Sequence, residues 1–181
     1  MANLTLGNKT VVTQAGSAEP VLASNVNLGS ATFPAGHVIQ TVFRTHAAES
    51  SFTSNTPTAV PNLTKAITLI TSNPYVLVTL ALNSAGKTTN NTALVTKLTA
   101  DDSGSLDIIL SDMLGYNNAS THNFMSGYQS YMHDLTGHAA GSTITYTPKF
   151  YSAANNSTAY INASYASGTK HSQIILMEIK K

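Results

Sequence analysis

Three groups of residues in this chain have types and spacings that could do chemistry. The first is Ala85-Gly86-Lys87-Thr88-Thr89, which matches the tail of a phosphate-binding loop. Such a loop cradles phosphate oxygens with glycine N–H groups and a lysine, and it needs a first glycine five residues before Gly86 and a helix after it. Position 81 is Ala81, within a strand-forming run, and Thr89-Asn90-Asn91-Thr92 starts no helix, so the motif fails at both ends. The second group is the histidines, His37, His46, His122, His133, His138 and His171. None takes helical metal spacing, but His133 and His138, with Asp134 between them, could meet across a turn at Gly137 and hold a divalent ion. Solvated turn residues are the commoner outcome for such a pair. The third group is Asp101-Asp102 with Asp107 nearby, which could suggest calcium binding or glycoside hydrolysis. Three side chains are few for a calcium loop, and Asp-Asp-Ser-Gly is an ordinary strand-ending turn.

No Gly-x-Ser-x-Gly elbow is present, and without cysteine there is neither a thiol nucleophile nor a disulfide framework. The sequence therefore indicates no enzyme, no catalytic residue, no cofactor and no metal. Its conspicuous polar aromatics are Tyr116, Tyr128, Tyr131, Tyr146, Tyr151, Tyr160 and Tyr165, all in the second half. Tyrosine suits a half-buried sheet face, or a sugar platform that joins stacking to a hydroxyl. Tyr116, Tyr128 and Tyr131 lie beside Asn/His-rich loops and are the candidate ligand contacts.

The elements that must position these residues read as strands. His37–Thr45 alternates, with Val38, Gln40, Val42 and Arg44 on one face. Ala66–Thr71 follows a Ser/Thr/Pro loop over 46–65. Tyr75–Asn83 is apolar on both faces and hence central. Ala93–Ala100, Leu106–Ser111, Phe124–His133, Ser142–Tyr151, Thr158–Tyr165 and Gln173–Ile179 complete about eight or nine strands after Gly36. No sustained 3.6-residue period and no long repeat occurs, so the fold is all-β, a sandwich or jelly roll. Residues 1–35 differ. Leu4, Leu6, Val11, Val12, Val21 and Leu22 sit in short strand-like pieces broken by Gly7-Asn8 and Gly16-Ser17. So short a stretch cannot bury its own core. It is either a floppy leader or an extended anchoring arm that adds strands to a partner, and its apolar residues favour the arm.

Composition narrows the partners. The 181 residues are 42% hydrophobic but only 9% charged, with a net charge of +1, and Thr, Ser and Asn make up about a third. The surface is built of hydroxyls and amides. No basic footprint marks a nucleic-acid partner. No apolar run is long enough for membrane insertion, and the first residues lack a signal peptide's basic start and apolar run. Asn-x-Ser/Thr triplets at Asn3, Asn62, Asn118 and Asn162 follow from composition. A β-sheet protein with almost no net charge gains protection from aggregation by closing into an oligomer.

Two stretches carry a resemblance. Pro34-Ala35-Gly36-His37-Val38-Ile39-Gln40 and Ser172-Gln173-Ile174-Ile175-Leu176-Met177-Glu178-Ile179 resemble the opening and closing strands of small fibre-type structural proteins of tailed phages, particularly cyanobacterial and marine ones. The resemblance covers residues 34–181. It implies a tumour-necrosis-factor-like jelly-roll head over 36–181 that forms a homotrimer. It also implies that the arm over 1–35 attaches to capsid, collar or tail proteins, and it supplies no catalytic residues. The expectation is a virion structural protein, a fibre or decoration protein made in the host cytoplasm, whose head contacts the host surface, with a host glycan as a further partner. The alternatives are a capsid cement protein and a stand-alone carbohydrate-binding module.

Overall fold

The computed structural model describes residues 2–6, 9–14, 21–22, 34–87, 92–102, 105–117, 123–152, 158–163 and 170–181. The chain divides into two compact units, Met1–Pro34 and Ala35–Lys181. In the first, β1 (Ala2–Leu6), β2 (Lys9–Gln14) and β3 (Val21–Leu22) form a three-stranded sheet in that order. The pieces carrying Leu4, Leu6, Val11 and Val12 pair with one another, Leu4 opposite Val12, and Val12 is opposite Leu22.

The second unit holds β4 (Val38–His46), β5 (Ser50–Thr53), β6 (Thr58–Ala59), β7 (Lys65–Thr68), β8 (Tyr75–Lys87), β9 (Thr92–Asp101), β10 (Ser105–Asn117), β11 (Asn123–Asp134), β12 (Thr143–Ser152), β13 (Thr158–Ile161) and β14 (Ser172–Ile179). No helix occurs among the described residues. The strands form two antiparallel sheets, a β-sandwich. One has the order β10-β9-β12, with β7 and β6 both on the far edge of β12. The other has the order β4-β14-β8-β11, with β13 and β5 prolonging the β14 and β4 rows past their ends.

Alternation explains the packing. Ile144, Tyr146, Pro148 and Phe150 on β12 point inward and are buried, as do Val76, Val78, Leu80 and Leu82 on β8 and Ile174 and Leu176 on β14. They meet Ile67, Leu94, Leu98 and Ala100 in one continuous core. Phe52 packs edge-on against Phe150 with ring centroids 4.8 Å apart. Pro148 falls at the break between β7 and β6. Its carbonyl accepts the Val60 N–H there at 2.8 Å, and the N–H it lacks would have pointed to the same gap.

Apart from strand ends (β8 and β10 run on to Lys87 and Asn117, and β13 stops at Ile161), the observed strands differ from the expected ones in two respects. Residues 50–53 and 58–59, expected as loop, form β5 and β6, because interrupted rows leave short pairing sites that propensity cannot reveal. The strict alternation expected through Val38 also fails. The register shifts next to Glu178, so Val38 pairs with Ile179 and joins Thr41 and Phe43 on the outer face.

The interruption between β13 and β14 is closed by a buried polar knot. Asn162 has φ 56°, in the left-handed region that asparagine tolerates. Its amide donates to the carbonyls of His46 (2.8 Å) and Ala48 (3.1 Å), and its oxygen accepts from Ser172 Oγ at 2.8 Å. Ser172 Oγ in turn accepts the Asn83 N–H at 3.0 Å. With its side chain so engaged and buried, Asn162 is no glycan acceptor.

Candidate functional site

Two regions of the head stand out: one end of the sandwich, rich in hydrogen bonds, and the outer face of the β4-β14-β8-β11 sheet. At the end, the loop 69–74 and the turn 135–142 are laced together. Leu135 N–H donates to the Pro74 carbonyl (3.1 Å), Asn73 N–H to the His138 carbonyl (2.9 Å), and Gly141 N–H to the Leu69 carbonyl (2.8 Å). Gly137 takes φ 95°, a left-handed value that favours glycine, and its N–H donates to Asn73 Oδ1 at 2.7 Å.

Glu178, fully buried on β14, anchors the same loop. Its carboxylate accepts the N–H groups of Ile70 (2.9 Å) and Thr71 (2.7 Å), the Thr71 hydroxyl (2.7 Å) and the Gln40 amide (2.6 Å). An acid at the core-facing position that follows Ser172, Ile174 and Leu176 is the local sign of this role.

The histidines His133 and His138 do converge, but on a different carboxylate from the one expected. Asp102, at the turn after β9, bonds His138 Nε2 through Oδ1 and lies 3.7 Å from His133 Nε2 through Oδ2. His138 Nδ1 donates to the Leu135 carbonyl at 3.2 Å, and His133 Nδ1 meets the Tyr146 hydroxyl at 2.9 Å. Asp134 turns instead to Lys181 and Thr136, with both carboxylate oxygens 2.8 Å from Lys181 Nζ. Adjacent strand residues point to opposite faces, which sends His133 inward and Asp134 outward. Among the described residues no group of three or more His, Asp and Glu is placed to hold a metal ion. Gly86 and Lys87 lie within β8, which leaves no loop to cradle a phosphate.

Electrostatics follow burial. Burial holds the imidazoles of His133 and His46 below the usual histidine range, although Asp102 pulls His133 the other way. Burial drives the Tyr146 phenol far above its ordinary range. The Lys181 hydrogen bond holds the exposed Asp134 carboxyl down to about 2. A buried neutral histidine binds its proton more readily once unfolded. Stability from His46 and His133 is therefore complete above the ordinary value of 6.5 and is lost as pH falls through each depressed folded value. Thermal melting should hold steady from pH 8 to 7 and then decline, with a slope of at most ~1.4 kcal/mol per pH unit for each histidine. The double variant His46→Gln, His133→Gln should flatten that decline, and an unchanged slope would assign it to other groups.

The register places the three candidate tyrosines apart. Tyr128 is 71% exposed on the outer face of β11, while Tyr131 sits three residues on, on the inward side, with its ring 6.2 Å from that of His133. The backbone of Tyr116 lies in β10 opposite Ala93, and its side chain falls outside the described residues.

The outer face itself reads as rows across four strands. Val38, Ile179, Tyr75 and Asp134 form one, followed by Thr41, Met177, Leu77 and Met132; then Phe43, Ile175, Thr79 and Ser130; then Thr45, Gln173, Ala81 and Tyr128. Asp134 alone among these is charged, and Lys181 neutralises it while lying 4.7 Å from the Tyr75 ring centre. Phe43 is 60% exposed, and Val38 and Met132 are also exposed. On the other sheet the outward positions are Thr143, Thr145, Thr147, Lys149 and Tyr151 of β12, beside Val95, Lys97, Thr99 and Asp101 of β9.

No family model matches the chain, and no curated protein matches it in sequence. Among solved structures it is similar to the infectious bursal disease virus VP2 subviral particle, at 10% identity and a TM-score of 0.27 over 95% of this chain and 47% of that one. T=1 particles derived from the same virus match at 11% identity and a TM-score of 0.26, over 94% and 48%. The chain spans about half the length of those structures. A TM-score this low does not define a common fold.

Proposed function

We propose that this chain is a virion structural protein, a homotrimeric fibre or decoration protein with an N-terminal anchoring unit and a jelly-roll head. The observation that carries the reading is the strand order. The chain passes from β7 in one sheet to β8 in the other, back to the β9–β10 pair, then across to β11 and back to β12, so that one sheet runs β4-β14-β8-β11 and the other β7-β12-β9-β10. That interleaving of first with last strands is how a jelly roll winds. It agrees with the opening and closing stretches that resemble phage fibre proteins.

Other virion proteins are the partners of the first unit, through the apolar residues Leu4, Leu6, Val11, Val12, Val21 and Leu22. The chain enters the head at the hydrogen-bonded end, where Gly36 N–H donates to the Lys180 carbonyl at 2.8 Å. The strand ends Lys87, Thr92, Asn117, Asn123, Ser152 and Thr158 belong to the opposite end. That end is the one for contact with the host surface.

Light scattering after gel filtration tests the assembly, and a mass near three times 19.0 kDa is expected. Particles assembled with a chain lacking residues 1–34 should lose the protein, and undiminished incorporation would remove the anchoring role. The exposed Tyr128 favours a second reading, a carbohydrate-binding module. A single-chain mass together with glycan binding lost in Tyr128→Ala would establish it.

A further inference from the structure

One carboxylate serves two imidazoles at the end where the chain enters the head. Asp102 bonds His138 Nε2 with one oxygen and lies 3.7 Å from His133 Nε2 with the other. His133 and Tyr146 are both buried, and their rings meet edge-on with centroids 5.9 Å apart. The carboxylate draws the single ring proton of neutral His133 to Nε2, so Nδ1 accepts the Tyr146 O–H at 2.9 Å. Among the described residues that hydroxyl has no second acceptor.

A second proton on His133 reverses the bond. Nδ1 then carries a hydrogen, the Tyr146 oxygen turns to accept it, and the phenol's own hydrogen is left without a partner in a buried site. We infer that His133 is an acid-sensitive latch, whose protonation opens the turn 135–142 as a local unit while the rest of the sandwich stays closed.

The groups around His133 decide the sign. Burial opposes the imidazolium most. Asp102, at the turn after β9, favours it, His138 opposes it, and Asp134 of β11 favours it. Tyr146 of β12 and Tyr131 of β11 bring phenols. Within the sheet, Val76 of β8 separates His133 from Glu178 of β14. The register places Asp107 and Asp112 of β10 opposite Thr99 and Thr96, and the loop 69–74 brings no ionisable side chain. Burial prevails, so the closed form excludes the proton and the open form, with His133 in water, takes it. The latch holds above the ordinary histidine value of 6.5 and weakens as pH falls through the lower value of the closed form.

The turn is built to move alone. No residue from Thr136 to Ser142 is buried, and Leu135 is its anchor in the core. Backbone bonds to the loop 69–74 and the His138–Asp102 contact hold the rest. Glu178 grips that loop from the other side, so the loop stays when the turn leaves.

Amide exchange of the full-length chain tests this, read by NMR from about pH 7.5 to about pH 4.5 and corrected for the intrinsic rate. The probes are the Asn73, Leu135 and Gly141 amides, with Leu80 and Leu176 as core references. Expected at the turn is a loss of protection of up to about tenfold per pH unit, insensitive to mild urea. His133→Gln should remove it, since glutamine can accept from Tyr146 and donate towards Asp102 without titrating, whereas His46→Gln should leave it. Turn protection constant with pH, or a loss that persists in His133→Gln, overturns the inference. So does a loss that follows urea as steeply as the core references, because the opening is then global. Should His133→Gln fail to fold, the wild-type ring signal decides. The loss must level off at the pH where the His133 ring titrates, and levelling elsewhere overturns the latch.

Discussion

Glu178→Gln is expected to destabilise the head by ~2–4 kcal/mol, measured by urea unfolding at fixed chain concentration. Every contact of the Glu178 carboxylate is with a donor: two backbone N–H groups, a hydroxyl and the Gln40 amide. Glutamine keeps the shape but brings a donor of its own. With its NH₂ in the Oε1 position, the Thr71 hydroxyl can turn to accept, yet the Thr71 N–H is left facing another donor. With its NH₂ in the Oε2 position, Gln40 can flip its amide, but Ile70 N–H keeps only the longer 3.1 Å contact to Oε1. In the first placement a backbone N–H loses its partner, in the second it keeps only a weaker one, and in both the charge-assisted bonds weaken. The loop 69–74 should open first, visible as faster amide exchange at Ile70 and Thr71. Gln40→Leu, which removes one donor and leaves the backbone contacts, should cost only ~1 kcal/mol. Equal effects of the two variants would mean that the carboxylate does not anchor this loop.

The second large effect is expected at Asn162. Alanine there removes two donated bonds and one accepted bond, leaving the His46 and Ala48 carbonyls and the Ser172 hydroxyl short of a partner in a buried site. It also puts a residue that disfavours positive φ at 56°. The sum is ~3 kcal/mol, or a fall in melting temperature of roughly 6–12 °C for a chain of this size. Asn162→Gly separates the two causes, since glycine accepts the backbone angle but makes none of the bonds. Recovery of ~1 kcal/mol is expected from glycine. Full recovery would assign the whole effect to the backbone and none to the knot.

Much of this architecture was legible in the residues, for reasons of local chemistry. Two-residue alternation marked Ser142–Tyr151 and the closing strand, and observed β12 and β14 lie within a residue of both. The apolar run from Tyr75 marked a central strand, and β8 is flanked on both edges. What failed did so where a long-range partner decides. A two-residue strand such as β6 exists only because β12 passes beside it, and the bulge at Ile39 only because β14 fixes the register.

The site was less legible still. The turn at Gly137 allows His133 and His138 to meet, but solvated turn residues are the commoner outcome of such a pair, and the carboxylate nearest in sequence is Asp134. Asp102 is 36 residues from His138, and only the pairing of β9 with β12 carries it there. Period and composition thus determined, unaided, that the chain is all-β, low in charge and without catalytic signatures, because those are properties of neighbouring residues and of sums. Which strands share a sheet, that Glu178 holds a loop more than 100 residues away, and that Phe43, Ile175, Leu77 and Met132 make one apolar face were decided by the tertiary structure alone. Pairing register between distant strands is a collective choice of the whole core, and no local pattern encodes it.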